Sequence, residues 1–206
     1  MSAVEIPIPL DDIQPNFEQA DQLLARHGLA QGSNYLFYAG RLKAEKGVIA
    51  LAESFLDAPL DPSVKLVLAG VDKLAPVERK RIQNPRIVVL GPQPRDLVRG
   101  LIGRSTLVVN ISPSEGLPRL CLEAIQLQVP VLLPPNVPEF LRSDPNLVVH
   151  SGVSEFELGG LLAEAVEGQF HANYDTSPHC LSDVALRLME VIDTTMADFR
   201  GGSFTV

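Results

Sequence analysis

The chain has 206 residues, of which 46% are hydrophobic and 20% are charged, a balance typical of a soluble globular protein with a sizeable core. Its net charge of −8 argues against a nucleic-acid-binding surface, which would usually show a basic stripe. The N-terminal residues lack the features of a signal peptide, and no apolar run reaches membrane-spanning length. Two cysteines, Cys121 and Cys180, indicate reduced cytosolic thiols rather than a disulfide scaffold.

The first 33 residues differ in pattern from the rest of the chain. Pro7, Pro9 and Pro15 favour an extended start, and Glu18–His27 is predicted to form a helix that ends at Gly28. We expect this segment to be a hinge or linker rather than the start of an independent core.

Short apolar runs then alternate with helical patterns. The predicted strands are Tyr35–Ala39, Lys65–Ala69, Ile87–Leu90, Thr106–Asn110, Val129–Leu133 and Leu147–His150. The predicted helices are Lys43–Leu56, Pro76–Ile82, Arg95–Ile102, Pro118–Leu127, Pro138–Leu141, Ser154–Glu167 and Ser182–Met196. Nearly continuous apolar strands are typical of a sheet covered on both faces. The alternation predicts an α/β fold with a doubly wound parallel sheet of about six strands.

Two glutamates stand out in the stretch from Pro113 to Pro135. Glu115 follows a predicted strand end and a short loop, and Glu123 lies within a helix that Pro118 is well placed to start. A helix N-terminus beside a loop is a ready anion site, and flanking carboxylates can accept hydrogen bonds from sugar hydroxyls. Phosphate, ribose and hexose are the parts of a nucleotide-sugar. On spacing alone, however, an ordinary surface role for both glutamates is favoured; the surrounding Ser-Glu-Gly-x-Pro and Val-Pro-Val residues favour the functional role.

A basic pair follows the first predicted strand. Arg41 and Lys46 are five residues apart, so a loop and the next helix can bring them to one anion, although a solvated loop pair is about as good an explanation when they are taken alone. If the strand order is 3-2-1-4-5-6, the first and fourth strands are neighbours, and the ligand crevice lies beyond their carboxyl ends. Arg41, Lys46 and Glu115 would then face one crevice.

Five segments carry a resemblance to a known family. In chain order, they are YAGRLKAEKGV, LVLAG, VVLGPQPRDL, SPSEGLPRLCLEAIQLQVPVLLPP and VPEFLRSDPNLVV. They resemble the C-terminal, donor-binding half of the retaining GT-B glycosyltransferases of the large glycosyl transferases group 1 family. The resemblance covers roughly Val4 to Phe170. It implies a single Rossmann-like GT-B half-domain.

The resemblance also implies roles for individual residues. Arg41 and Lys46 would bind the donor diphosphate and stabilise the leaving phosphate, and Glu115 would contact hydroxyls of the transferred sugar. Glu123 would accept hydrogen bonds from the ribose, and the loop around Gln93 would meet the base through backbone groups. The other expected donor-binding residues are Gly40, Ser114, Gly116, Leu117, Pro118, Arg119 and Leu120; for Arg119, a surface role is the favoured alternative. Such enzymes need no obligatory metal or other cofactor, and the donor would be a UDP-, GDP- or ADP-sugar.

The family's enzymes have a second, N-terminal domain that supplies acceptor contacts. The resemblance therefore implies a missing acceptor domain, in cis or in trans, without which this chain would bind donor weakly and transfer nothing. We expect a hinge at residues 1–33, a nucleotide-sugar-binding domain at 34–170, and a C-terminal loop and helix at 171–206 that can return toward the missing domain. The implied protein is a cytoplasmic hexosyltransferase of cell-envelope polysaccharide biosynthesis. It would bind no nucleic acid and would not insert into the membrane, although the missing half could place it at the inner membrane surface.

Two alternatives stay open. The chain could be a non-catalytic module that binds a nucleotide-sugar or docks a partner half. It could also be a domain of a sugar-nucleotide epimerase, which shares the two-domain plan but is expected to show a different run of residues around the carboxylate.

Overall fold

The computed structural model describes Leu10 and residues 12–112, 119–133, 148–149, 155–168 and 180–201. The strands in these residues are β1 (Tyr35–Ala39), β2 (Lys65–Ala69), β3 (Ile87–Gly91), β4 (Leu107–Val109), β5 (Val131–Leu133) and β6 (Val148–Val149). The helices are α1 (Phe17–Arg26), α2 (Val48–Asp57), α3 (Pro76–Arg81), α4 (Arg95–Arg104), α5 (Arg119–Gln126), α6 (Glu155–Val166) and α7 (Leu181–Gly201), with a 3-10 turn at Ala44–Lys46. The predicted helix Pro138–Leu141 lies outside the described residues.

The strands form one parallel sheet in the order β3-β2-β1-β4-β5-β6. This order confirms the predicted α/β fold and meets the condition, set out above, that the first and fourth strands are neighbours. In the register of the central pair, Leu36 lies opposite Leu107 and Phe37 opposite Val108. The order reverses between β1 and β4, so the loops after these two strands flank the point where a doubly wound sheet binds its ligand.

Helices cover the sheet on both faces, and β1 shows how a strand serves two cores. Tyr35 and Phe37 point into a core that includes residues of α1, α4 and α5. Leu36 and Tyr38 point into the opposite core, which includes residues of α2 and α6. Side chains alternate between the faces of a strand, so a strand between two apolar layers must be apolar throughout. The sequence of β1 meets that requirement.

The N-terminal segment packs on α4. The side chain of Asn16 accepts a hydrogen bond from the backbone N–H of Gln19 at 3.2 Å and so begins α1. Ala20 and Leu24 are buried in the core on this face. A Cβ added at Gly100 of α4 would overlap the backbone carbonyl of Asn16. The segment expected to be a hinge therefore contributes, from residue 13 onward, to the same compact unit as the sheet.

The chain divides into two compact units, residues 13–174 and residues 1–12 with 175–206. The sequence placed the corresponding boundaries at residues 33 and 170. In the smaller unit, Leu10 pairs in parallel with Cys180, directly before α7. Helix α7 exposes Leu186, Met189 and Ile192. No helix in the described part of the chain is both long enough and apolar enough to cross a membrane.

Candidate functional site

Glycines bring the ends of three neighbouring strands unusually close together. The backbone N–H of Gly40, after β1, donates to the carbonyl of Ala69 at 2.9 Å, and the N–H of Gly70, after β2, donates to the carbonyl of Gly91 at 2.7 Å. Gly70 has a φ of +135°, and a Cβ at this position would overlap the carbonyl oxygen of Gly40. Only glycine fits such a backbone.

Beyond these strand ends lies an open cleft of about 310 Å³. It is lined by Ala39, Gly40, Arg41, Ala69, Gly70, Val71, Pro92, Gln93 and Val98. The structure thus brings together three of the predicted site residues, namely Gly40, Arg41 and Gln93. The side-chain amide of Gln93 is fixed because its Nε2 donates to the carbonyl of Leu90 at 2.7 Å. Most of the remaining lining is apolar, as in a pocket for a flat ring.

A larger hollow of about 450 Å³ lies beside the outer strand β3 and contains none of the predicted site residues. Its charged groups, Asp72 and Arg79, form an ion pair with each other at 2.9 Å. Size alone would favour this hollow, but the smaller cleft lies at the carboxyl ends of the strands, where sheets of this kind bind ligands. The smaller cleft is therefore the better candidate.

The loop after β1 carries a cluster of basic residues beside the cleft. Lys43 Nζ lies 2.8 Å from Glu45 Oε1. This hydrogen bond, aided by the charges of Lys43, Arg41 and Lys46, lowers the pKa of the Glu45 carboxyl. Among the described residues, no carboxylate forms an ion pair with Arg41. Within this loop, Arg41, Lys43 and Lys46 outnumber Glu45, so the loop itself carries a net positive charge on a protein that is acidic overall, which suits an anionic ligand.

Gly47 places this basic loop against the end of β4. Its φ is +79°, and an added Cβ would lie 2.9 Å from Cγ1 of Ile111. The loop after β1 and the residues that lead into the double-glutamate motif are therefore packed together, as the strand order requires. Of the predicted site residues in that motif, Ser114, Glu115, Gly116, Leu117 and Pro118 lie outside the described residues.

The second motif glutamate is held by two arginines. Glu123 lies on α5 and is only 7% exposed. Its Oε1 accepts a hydrogen bond from Arg95 Nη2 at 3.0 Å and another from Arg119 Nε at 3.3 Å. Arg95 begins α4, two residues after Gln93, so the loop that lines the cleft also supplies a partner for Glu123. Leu120, another predicted site residue, packs against the core.

Sequence reasoning missed Arg95, Lys43 and Gly70 as parts of this site. Gly70 had a usable signal, because a glycine directly after a buried strand often marks a close backbone approach. Lys43 and Arg95 had none, since a single basic residue near a helix start is ordinary. Within the residues described here, no group of three or more His, Cys, Asp and Glu side chains is arranged to hold a metal ion.

Comparison with known proteins places these features in a family. Residues 19–152 match the model of the family described as glycosyl transferases group 1. A protein of Bacillus subtilis (strain 168), provisionally named as the teichuronic acid biosynthesis glycosyltransferase TuaC, is 30% identical over 189 residues. The match includes 83% of this chain and 47% of that protein. The chain thus spans about half the length of this relative.

Solved structures show the same fold. The Anabaena protein Alr3699/HepE, in a complex with UDP and glucose, superposes with a TM-score of 0.69 at 17% identity, over 91% of this chain and 55% of that chain. The lipopolysaccharide outer core galactosyltransferase WaaB gives 0.61 at 18% identity, over 94% and 56%. The C-terminal domain of a group 1 glycosyl transferase, LpcC of Francisella tularensis, gives 0.55 at 15% identity, over 84% and 88%.

Proposed function

Because the chain belongs to the glycosyl transferases group 1 family, we propose that it is the donor-binding half of a retaining glycosyltransferase. The substrate is a nucleotide-diphospho-sugar, and the reaction transfers its hexose to a glycan or a lipid-linked acceptor. One observation carries the proposal: Gly40, Arg41 and Gln93, from two separate parts of the chain, line a single cleft at the carboxyl ends of the strands. The cleft lies at the carboxyl ends of β1, β2 and β3, beside the switch point between β1 and β4 at which a doubly wound sheet binds its ligand.

The basic loop binds the diphosphate. Arg41 borders the cleft, and Lys46 lies on the same loop, so both can donate charge-assisted hydrogen bonds to phosphate oxygens. As the sugar leaves, negative charge grows on the departing diphosphate, and fixed cations that face this charge stabilise the transition state. Arg41 and Lys46 therefore supply the charge that a metal supplies in other transferases, and we expect no obligatory metal or cofactor.

Carboxylates and backbone groups bind the rest of the donor. Glu123 accepts hydrogen bonds from the ribose hydroxyls, and Glu115 contacts hydroxyls of the transferred hexose. The loop at Gln93 meets the base, which lies against the apolar lining of the cleft. Backbone N–H groups of Gly116, Leu117, Arg119 and Leu120 complete the contacts to sugar and phosphate. The complex of Alr3699/HepE with UDP and glucose supports a UDP-sugar as the first donor to test.

The acceptor is bound by a second domain. The chain matches only 47% of TuaC and 55% and 56% of the Alr3699/HepE and WaaB chains, which supports a partner domain in cis or in trans. The name of TuaC supports a role in cell-envelope polysaccharide synthesis. Sugar nucleotides are made in the cytoplasm, so we place the activity there, at the inner membrane surface if the second domain binds it.

Nucleotide titration tests the proposal. UDP, GDP and ADP are titrated into the chain and into Arg41→Ala by calorimetry. Arg41→Ala removes charge-assisted hydrogen bonds worth on the order of 1.5–3 kcal/mol. We therefore expect the affinity for the preferred nucleotide to fall about ten- to a hundredfold. Arg81→Ala is the matched control, because Arg81 forms a two-bond ion pair with Glu53 on the surface (2.7 Å for each bond) and does not line the cleft. Equal affinities of wild type and Arg41→Ala would refute the role of Arg41.

A non-catalytic binding or docking module is the second candidate, favoured by the same half-length match to the relatives. The two candidates differ in turnover. The chain, joined to an N-terminal domain from its own parent sequence, is assayed for donor hydrolysis and for sugar transfer. Turnover that disappears in Arg41→Ala supports the enzyme, whereas nucleotide binding without any turnover supports the module.

A further inference from the structure

Among the described residues, two side chains donate hydrogen bonds to the Glu123 carboxylate, and both reach the same oxygen. Arg95 Nη2 lies 3.0 Å from Oε1, and Arg119 Nε lies 3.3 Å from Oε1. The arginines come from different directions, because Arg95 begins α4 whereas Arg119 lies one turn before Glu123 on α5. In the part of the chain that the structure describes, Oε2 accepts no hydrogen bond.

Burial makes this asymmetry informative. The Glu123 side chain is 9% exposed, whereas the side chains of Arg95 and Arg119 are 48% and 40% exposed. A carboxylate has about four lone-pair positions, and among the described residues Oε2 is not one of the fully buried polar atoms that lack a partner. For stability alone, an apolar residue at this position would do as well or better, since buried ion pairs often add no net stability. Its neighbours Leu122 and Ala124 are fully buried apolar residues.

We propose that Arg95 and Arg119 are positioning residues that hold Oε1 of Glu123 and leave Oε2 to accept hydrogen bonds from a vicinal diol. Two donors on one oxygen fix the rotamer of the glutamate before the ligand arrives, so less side-chain entropy is lost on binding. The inference rests on the proposed function, in which this diol is that of the donor ribose.

Arg95 also connects two parts of the donor site. It lies two residues after Gln93, whose amide is fixed on the carbonyl of Leu90 at 2.7 Å. The segment that borders the base cleft therefore ends in the arginine that orients the diol acceptor. Contacts to the base and to the ribose are thus made by one short stretch of chain, and the position of Arg95 determines how strongly the site discriminates ribose from a sugar without the diol.

The experiment compares each nucleotide with its 2′,3′-dideoxy analogue. UDP, GDP and ADP and their analogues are titrated into wild type, and the tightest pair is then measured with Arg95→Ala, Arg119→Ala and Glu123→Gln. We expect wild type to prefer the ribonucleotide by at least about tenfold. Each arginine variant should reduce this preference severalfold. The affinity for the ribonucleotide should fall, whereas the affinity for the dideoxy analogue should stay nearly unchanged. In the Glu123→Gln background, removing Arg95 should have no further effect on the preference.

Conservative variants and a control separate positioning from a structural role. Arg95→Lys and Arg119→Lys keep a cationic donor and should recover part of the preference. Arg81→Ala should retain all of it, because Arg81 pairs with Glu53 and lies outside the cleft. Thermal unfolding of each variant is measured alongside, and a variant that does not fold is replaced by its lysine form.

The outcomes distinguish the two proposals. Binding of no nucleoside diphosphate by wild type overturns the proposed function together with this inference. Binding without any preference for the diol, or a preference that survives in both arginine variants, overturns the inference alone. An equal loss of affinity for the ribonucleotide and for the dideoxy analogue in the arginine variants also overturns the inference, because the arginines would then act on the diphosphate or on the fold.

Discussion

The cleft at the ends of β1, β2 and β3 and the cluster around Glu123 are built in different ways. The cleft depends on backbone atoms: Gly70 lets the end of β2 approach the carbonyl of Gly40, after β1, so closely that no side chain fits between them. The Glu123 cluster depends on side chains, with one buried carboxylate held by two half-exposed arginines. Gln93 and Arg95, on one short segment, belong to the cleft and to the cluster respectively.

This difference predicts two kinds of sensitivity. A backbone-built cleft tolerates changes of charge but not an added atom at its closest approach. A cluster of charged side chains tolerates changes of volume but responds to loss of charge and, where its cations are exposed, to salt. Substitutions in the two regions therefore show whether each depends on backbone packing or on side-chain charge.

The largest effect is expected from Gly70→Ala. The new Cβ would overlap the carbonyl oxygen of Gly40, at a φ of +135° that side chains rarely adopt. We expect the free energy of unfolding to fall by about 4 kcal/mol, or folding to fail. Gly91→Ala is the matched control: its φ is +68° and its Cβ would meet no atom within 4 Å. Only the backbone cost of about 1–2 kcal/mol remains there. Equal losses of unfolding free energy in the two variants, measured by urea denaturation, would argue against the close approach of Gly70 to Gly40.

An intermediate effect is expected from Glu123→Gln. The amide keeps the volume of the side chain but weakens the hydrogen bonds from Arg95 and Arg119, and we expect a loss of about 1–2 kcal/mol after discounting for the exposed arginines. The loss should shrink at high salt, which screens those arginines. Glu53→Gln removes a surface partner of Arg81 and should cost less than about 1 kcal/mol. Denaturation of both variants at low and high salt gives the comparison, and a larger loss for Glu53→Gln would contradict the assigned burial.

The smallest effect is expected from Glu45→Gln, because Glu45, like Glu123, is a carboxylate bound by a basic side chain but is exposed. Its carboxyl pKa is lowered, first of all by the hydrogen bond from Lys43. A lowered pKa in the folded state means that the ionised carboxylate stabilises the fold at pH values above 4.5, and that this contribution disappears as the pH falls below that value. Wild type and Glu45→Gln should therefore differ slightly in Tm at neutral pH and converge in acid. A difference that grows in acid would show that the pKa is raised instead.

The sequence predicted the fold more fully than the site. The strands β1 and β2 begin and end at the predicted residues, the α/β fold is confirmed, and the observed strand order is the one on which the placement of the site was conditional. The helix predicted as Lys43–Leu56 is instead a 3-10 turn, Gly47 with positive φ, and α2 from Val48. The predicted helix is interrupted because of a tertiary contact, in which Gly47 passes close to Ile111. Local apolar periodicity could not reveal that contact.

For the site, Gly40 and Arg41 follow β1 and Gln93 follows β3, and the structure brings all three to one cleft. Their roles in donor binding stay predictions, as do the roles of Lys46, Arg119, Leu120, Glu123 and the motif residues outside the described part of the chain. Arg95 was not predicted, because its partner Glu123 lies 28 residues away on another helix.

By itself, the sequence determined the alternation of strands and helices, the two-sided burial of the sheet, and the presence of cations and carboxylates near strand ends. These features depend on neighbouring residues, whose polarity and backbone preferences can be read in order. The tertiary structure decided which distant groups meet: Gly70 with Gly40, Gly47 with Ile111, and Glu123 with Arg95. Such meetings depend on strand order, on helix packing and on the rotamers of long side chains, which no local pattern fixes.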